Sequence, residues 1–314
     1  MSELTNGMLV QHELLGIGKV VALDSKTVHV FFAGSKDRFA TKLWLPVAGP
    51  LLHPAGADEN AWLSGMSAFS RDAKTGRYGL AQTWLSHEDA VGRFMEAFPL
   101  GFEDPKYVAG GKGRRDSASR WRRAHEAFEE SFGRGEAERL VATGEVGELV
   151  ARAVRLERLM GPLQKETDGA SFEQSLADPA AARSFFAALV DVLAAPAPRR
   201  DAFEALATAV AALPHSGSAE STWPLVTVLP FVAQPDRHVL LRPGFTCDAA
   251  HRLGLELGYA PAPNWATYAA LLKSAGLLLE KLRPIGAHDH IDVEAFMQAA
   301  TAKRPSRAKA ALHA

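Results

Sequence analysis

Near the end of the chain, the segment GAHDHIDVEAF gathers His288, Asp289, His290, Asp292 and Glu294, side chains able to hold a divalent cation or move a proton. Imidazole and carboxylate both ligate such ions, and His288 and Asp292, four residues apart, would align on one face of a helix. The spacing matches neither HExxH nor a nuclease-type carboxylate pair with a following lysine. Gly286 breaks the chain just upstream, and a helix is predicted to begin at Asp289 or Asp292. The favoured assignment therefore makes one aspartate a helix cap and leaves the histidines on the surface. A metal set of His288, Asp289, His290 and Asp292 stands as the alternative. Cys247 follows Thr246 at a predicted helix start, where a thiolate is favoured, and His251 comes one turn later. No catalytic-cysteine signature surrounds the pair. The expectation is no catalytic residue and no cofactor.

Electrostatics supplies the other chemistry. GGKGRRDSASRWRR places Lys112, Arg114, Arg115, Arg120, Arg122 and Arg123 around a helix predicted to start near Asp116 or Ser117. A helix N-terminus disfavours each cation by roughly 0.3–1 kcal/mol, so a cluster there is expected to meet phosphate of a nucleic acid or another acidic partner. Pairing with Glu126, Glu129, Glu130 or carboxylates elsewhere is the alternative use of the same charges.

Composition limits what these groups can serve. With 314 residues, 47% of them hydrophobic, the chain has room for two or three domains and a sizeable core. A net charge of −1 gives no global positive field, so any polyanion contact must be local. A lone cysteine excludes an intramolecular disulfide and a Cys-cluster zinc site. MSELTNGMLV lacks a basic region followed by an apolar one, and no run reaches the ~18 apolar residues of a membrane span. The expectation is a cytoplasmic protein with no membrane contact; oligomeric state stays open.

The clearest element signals lie at the N-terminus. Leu9-Val10, Lys19 to Leu23 and Thr27 to Phe32 are β-prone runs separated by turn residues, and a fourth runs from Phe39 to Val47. So many short strands in about 45 residues are expected to close into a small barrel. Gly16 and Gly18 serve a bend; GIGKV lacks both the GxxxxGK[ST] spacing and a following helix. Trp44 is predicted to be core and His12 a turn or rim residue. The lysines discourage edge pairing, and Lys19, Lys36, Arg38 and Lys42 form a candidate docking surface.

Gly7, Val10, His12, Gly16, Gly18, Val20, Val28, Val30, Phe31 and Leu43 to Leu45 together resemble the Tudor/SH3-like modules of bacterial transcription and repair proteins. The likeness is to the C-terminal module of UvrD/PcrA-type helicases and, more distantly, to the RNA-polymerase-binding module of CarD-type regulators. It covers about one-sixth of the chain, and nothing downstream looks like a helicase. The resemblance implies a docking role with a protein partner, RNA polymerase among the candidates, or with nucleic acid. WPLVTVLPFVAQPDRHVLLRP, PAPNWATY and HIDVEAF are similar to segments of an uncharacterised bacterial family, which implies a shared domain and no activity.

The remainder reads as helices. Ser86 with Asp89 forms a cap pattern, and Trp121, Ala124, Phe128 and Phe132 recur at helical spacing. Similar stripes begin at Val146, after Pro179, at Phe203, and after Asn264, while Thr246 is predicted to cap a helix running through His251. The glycine-, serine- and alanine-rich stretch from His53 to Tyr78, which carries Trp62, Met66 and Phe69, is a connector expected to pack on a neighbour. The predicted whole is α+β: a small SH3/Tudor-like β-barrel over residues 1–54, a mainly α-helical domain over residues 55–302, and a basic tail over residues 303–314.

Overall fold

Alternating apolar residues with intervening turns become three antiparallel strands, β1 (Leu9–His12), β2 (Gly16–Leu23) and β3 (Thr27–Phe32). Two shorter strands, β4 (Thr41–Trp44) and β5 (Leu52–Ala55), complete a sheet of order β4-β3-β2-β1-β5. The computed structural model describes residues 4–302, less 36, 57–58, 61–62, 65, 67–68, 74, 81–83, 109–116, 161–170 and 215–216. The protein is α+β, with this sheet first and a mostly helical region after it. β4 and β5 are edge strands, and no ladder joins them among the described residues.

The fourth strand is shorter than its apolar run suggests. Residues after Trp44 turn into a one-turn helix, α1 (Leu45–Ala48), with Pro46 in its first turn, where a missing N–H costs nothing. A 3-10 turn, Gly49–Leu51, then leads into β5.

β3 is buried on both faces, and its alternation explains why. Val28, Val30 and Phe32 join Val10, Val20 and Leu52 in a small core on one side of the sheet. Phe31 points the other way into the main core, meeting Phe69 at 5.2 Å and Trp84 at 5.5 Å between ring centres. A short hairpin, β6 (Ser70–Arg71) with β7 (Tyr78–Gly79), lies within the predicted connector. It pairs with the stretch before β4: Ala40 N–H donates to Tyr78 O at 2.7 Å, and Leu80 N–H donates to Arg38 O at 2.9 Å.

The main core centres on helices buried almost all round. Every residue of α10 (Thr222–Ala233) is buried, as are those of α13 (His290–Thr301) from His290 to Met297. Around them pack α2 (His87–Ala97), α4 (Ser117–Phe132), α11 (Pro243–Arg252) and α12 (Trp265–Leu282). α3 (Pro105–Val108) precedes α4, and between α4 and α10 come α5 (Glu136–Thr143), α6 (Val146–Met160), α7 (Phe172–Ser175), α8 (Pro179–Ala194) and α9 (Arg200–Ala211). Trp121 of α4 meets Phe231 of α10 at 5.4 Å, and Phe94 of α2 meets Phe296 of α13 at 5.6 Å. Ser86, Asp178 and Asn264 each accept a hydrogen bond from a first-turn N–H of the helix they precede. Thr246 does not cap α11. That helix starts at Pro243, and the Thr246 hydroxyl accepts from Arg242 N–H at 3.0 Å from inside its first turn.

No helix among the described residues is long and apolar enough to cross a membrane. The tail over residues 303–314, Trp62 and Asp116 lie outside the described residues.

Candidate docking site

The HDHID segment folds into an internal ion-pair network. Asp289 caps α13, accepting from Ile291 N–H at 2.9 Å and from Asp292 N–H at 3.3 Å. Its carboxylate also pairs with both terminal nitrogens of Arg122, reached from α4. Asp292 accepts from Arg122 Nη2 at 2.8 Å, from the Tyr107 hydroxyl at 2.6 Å and from His288 N–H at 2.7 Å. Burial, then the Asp292 charge and hydrogen bond, push the Tyr107 phenol upward, so it stays a donor. Burial works against the Arg122 charge, yet the hydrogen bonds and charges of Asp289 and Asp292 outweigh it and raise its pKa.

Two sequence expectations change here. Arg122 is not a phosphate contact: its fork is committed to two carboxylates, which makes the pairing alternative the correct one. His290 is not a surface residue: it is buried and its Nδ1 lies 3.0 Å from His238 O. His288 is exposed, as expected. Glu294, one turn on, is buried and paired with the half-buried Arg242. Among the described residues no group of three or more His, Cys, Asp or Glu side chains is placed to hold a metal ion. The four members of the alternative metal set share a segment without converging.

Cys247 lies inside α11, and the thiolate expected at a helix start is not favoured there. Burial, then the Glu220 charge, push its thiol up to about 11. Of the basic cluster, Arg120 lies over the Trp121 ring at 4.8 Å, and exposed Arg123 donates Nε to Ser119 O at 3.3 Å. Lys112, Arg114 and Arg115 lie outside the described residues, as does Lys36 of the N-terminal set.

Lys19 is the main correction in that set. Instead of edging the sheet, it is buried and its ammonium donates to Ser64 O at 2.7 Å and to Met66 O. Burial lowers its pKa, Glu256 opposes that shift and Lys273 adds to it. It thus ties β2 to the segment that follows the sheet. Lys19→Ala leaves two inward-facing carbonyls without a donor and is expected to cost about 1–3 kcal/mol, read as a lower urea midpoint at unchanged slope. Arg38 is also engaged, donating Nη1 to Leu80 O at 2.9 Å and lying over the Phe39 ring at 4.3 Å. Lys42 alone of the four is both described and exposed.

What the sheet turns outward is apolar. Trp44, predicted as core, is 61% exposed, because it sits at the far end of an edge strand beyond the covering hairpin. Val47 follows it on α1 at 62%. A second group surrounds the β1–β2 turn. His12 Nδ1 accepts from Leu14 N–H at 3.1 Å and Leu15 N–H at 3.3 Å, and the tight turn thrusts both leucines out. Leu51 is adjacent, since Leu52 pairs with His12. Five of the eight exposed large apolar side chains described, Leu14, Leu15, Trp44, Val47 and Leu51, thus lie on the N-terminal module. They form two groups, Trp44 with Val47 at the end of β4 and Leu14, Leu15 and Leu51 around the β1–β2 turn.

No protein family, curated protein or solved structure matches the chain.

Proposed function

We propose that this chain is a non-enzymatic interaction protein, an accessory factor in bacterial transcription or DNA transactions that docks through its N-terminal module. The exposed Trp44, with Val47 beside it, carries this reading. Tryptophan dominates binding energy where partners meet, and folded chains seldom leave it in water without a use. The sheet order supports the SH3/Tudor-like likeness: β1 pairs with both β2 and β5, so rolling the sheet would bring β4 toward β5. RNA polymerase is one candidate partner that likeness implies, another protein or a nucleic acid being the others. The metal-dependent alternative has no comparable support, since Asp289 and Asp292 are both engaged by Arg122.

Trp44→Asp tests the docking role. The site is exposed, so stability is expected to change by no more than about 0.5 kcal/mol. Loss of a tryptophan anchor is expected to weaken partner capture roughly 30-fold or more. Affinity purification from the native cell followed by mass spectrometry compares the variant with wild type. Polymerase subunits lost with the substitution support the transcription assignment; an unchanged set of captured proteins overturns the docking role.

A further inference from the structure

Resting on that docking reading, we infer that the partner enters as an extended strand added to the free edge of β4, with acidic and apolar side chains in alternation. The register decides which backbone groups are available. Leu45 N–H donates to Lys26 O at 2.8 Å, and Val28 pairs with Leu43 and Val30 with Thr41. Thr41, Leu43 and Leu45 therefore turn their amides and carbonyls toward β3, and Lys42 and Trp44 turn theirs outward. The same edge is already in use one step earlier, where Arg38 O and Ala40 N–H bond to β7. The hairpin then leaves the ladder, and Lys42 and Trp44 continue it with no partner strand among the described residues.

The opposite edge is closed to such pairing by Pro54 in β5, which has no N–H. β4 contains no proline. Its outward side chains specify what fits. Lys42 and Trp44 lie on one face, two residues apart, and both are exposed. Exposed Lys26 and Arg71 lie near the ends of this edge. Asp24, the acid whose charge reaches Lys42, has its oxygens bound by Lys26 N–H, Thr27 N–H and the Thr27 hydroxyl. An added strand thus meets a cation and, two residues on, an indole; a carboxylate opposite the first and an apolar side chain against the second complement them. A second copy of this chain fits poorly, because its β4, Thr41–Trp44, brings no carboxylate to Lys42 in any register. A phosphate backbone fits poorly too, since half of the outward groups are carbonyls.

The test uses the full chain and a fluorescein-labelled peptide alternating glutamate and valine. Lys42→Pro removes the outward N–H and keeps every bond to β3, and Thr41 before it is already extended as proline requires. Binding is expected to weaken about tenfold or more in Lys42→Pro, and equally with a peptide N-methylated on the facing side. Amide exchange at Lys42 and Trp44 is expected to slow on binding. Lys42→Glu, which keeps the N–H, is expected to reject this peptide and accept its lysine-valine counterpart. No binding by wild type, equal binding by Lys42→Pro, or unchanged exchange at both amides overturns the inference. So does a concentration-dependent dimer abolished by Lys42→Pro, or a DNA duplex that displaces the peptide. If Trp44→Asp loses the cellular partner and Lys42→Pro retains it, the edge is wrong and the docking role stands; if neither loses it, both fail.

Discussion

Arg122→Ala is expected to destabilise the protein by about 2–3 kcal/mol, because it leaves two inward carboxylates with no countercharge while water screens the 36% exposed guanidinium in part. Asp292 is 2% exposed and Asp289 13%, and Arg122 bonds to both. The Tyr107 hydroxyl and two kinds of backbone N–H still reach the aspartates, yet none carries a full positive charge. The corresponding fall in melting temperature is roughly 3–5 °C. Conversion of both aspartates to asparagine in the same chain is expected to recover part of the loss, since neutral amides need no cation. Arg123→Ala, one residue away and exposed, is the control and is expected to shift stability by no more than about 0.5 kcal/mol. A melting temperature for Arg122→Ala within a degree or so of the control would show that the pair adds nothing to the fold.

This network also shows where reading the sequence stops. The α4 stripe of Trp121, Ala124, Phe128 and Phe132 is legible because helical spacing repeats over about three turns, and all four are buried. The cap at Asp289 is legible because it is local. Its bond to Arg122 spans 167 positions, and nothing near either residue announces the other. A weaker signal was present: HIDVEAF interleaves acids with apolar residues on every side, so a helix there buries its acids and needs cations from elsewhere. Trp44 and Lys19 were misjudged for one shared reason. Burial of a strand residue depends on what covers its face, and the covering hairpin has only two residues per strand, too few to show an alternating pattern. It stops short of Trp44, while the chain leading to it crosses over Lys19. The strands β1 to β3 were readable because their own alternation matches a core on each face.

Acidification between pH 6.5 and pH 4 is expected to remove about 3 kcal/mol of stability through His238 alone. Burial, reinforced by neighbouring His290, holds the His238 imidazole at about 4, well below its value of 6.5 in an unfolded chain. The unfolded state therefore takes up a proton in that window and the folded state does not, so stability is complete above pH 6.5 and declines as pH falls toward 4. The cause is geometric: His238 Nδ1 lies 3.1 Å from the Tyr268 hydroxyl, and the ring stacks beside Tyr268 in the core. The Asp236 charge opposes the shift only in part, and Arg237 adds to it. Burial lowers His290 as well, and His87, held at about 4 by burial and by Lys281, adds to the loss in the same direction. Urea unfolding at pH 7.5 and pH 4.5 measures the difference. His238→Gln lowers stability at both values through lost packing, and the pH-dependent difference is the informative quantity. It is expected to shrink by about 2–3 kcal/mol in the variant, whereas an equal difference in both proteins would assign the acid sensitivity to other groups.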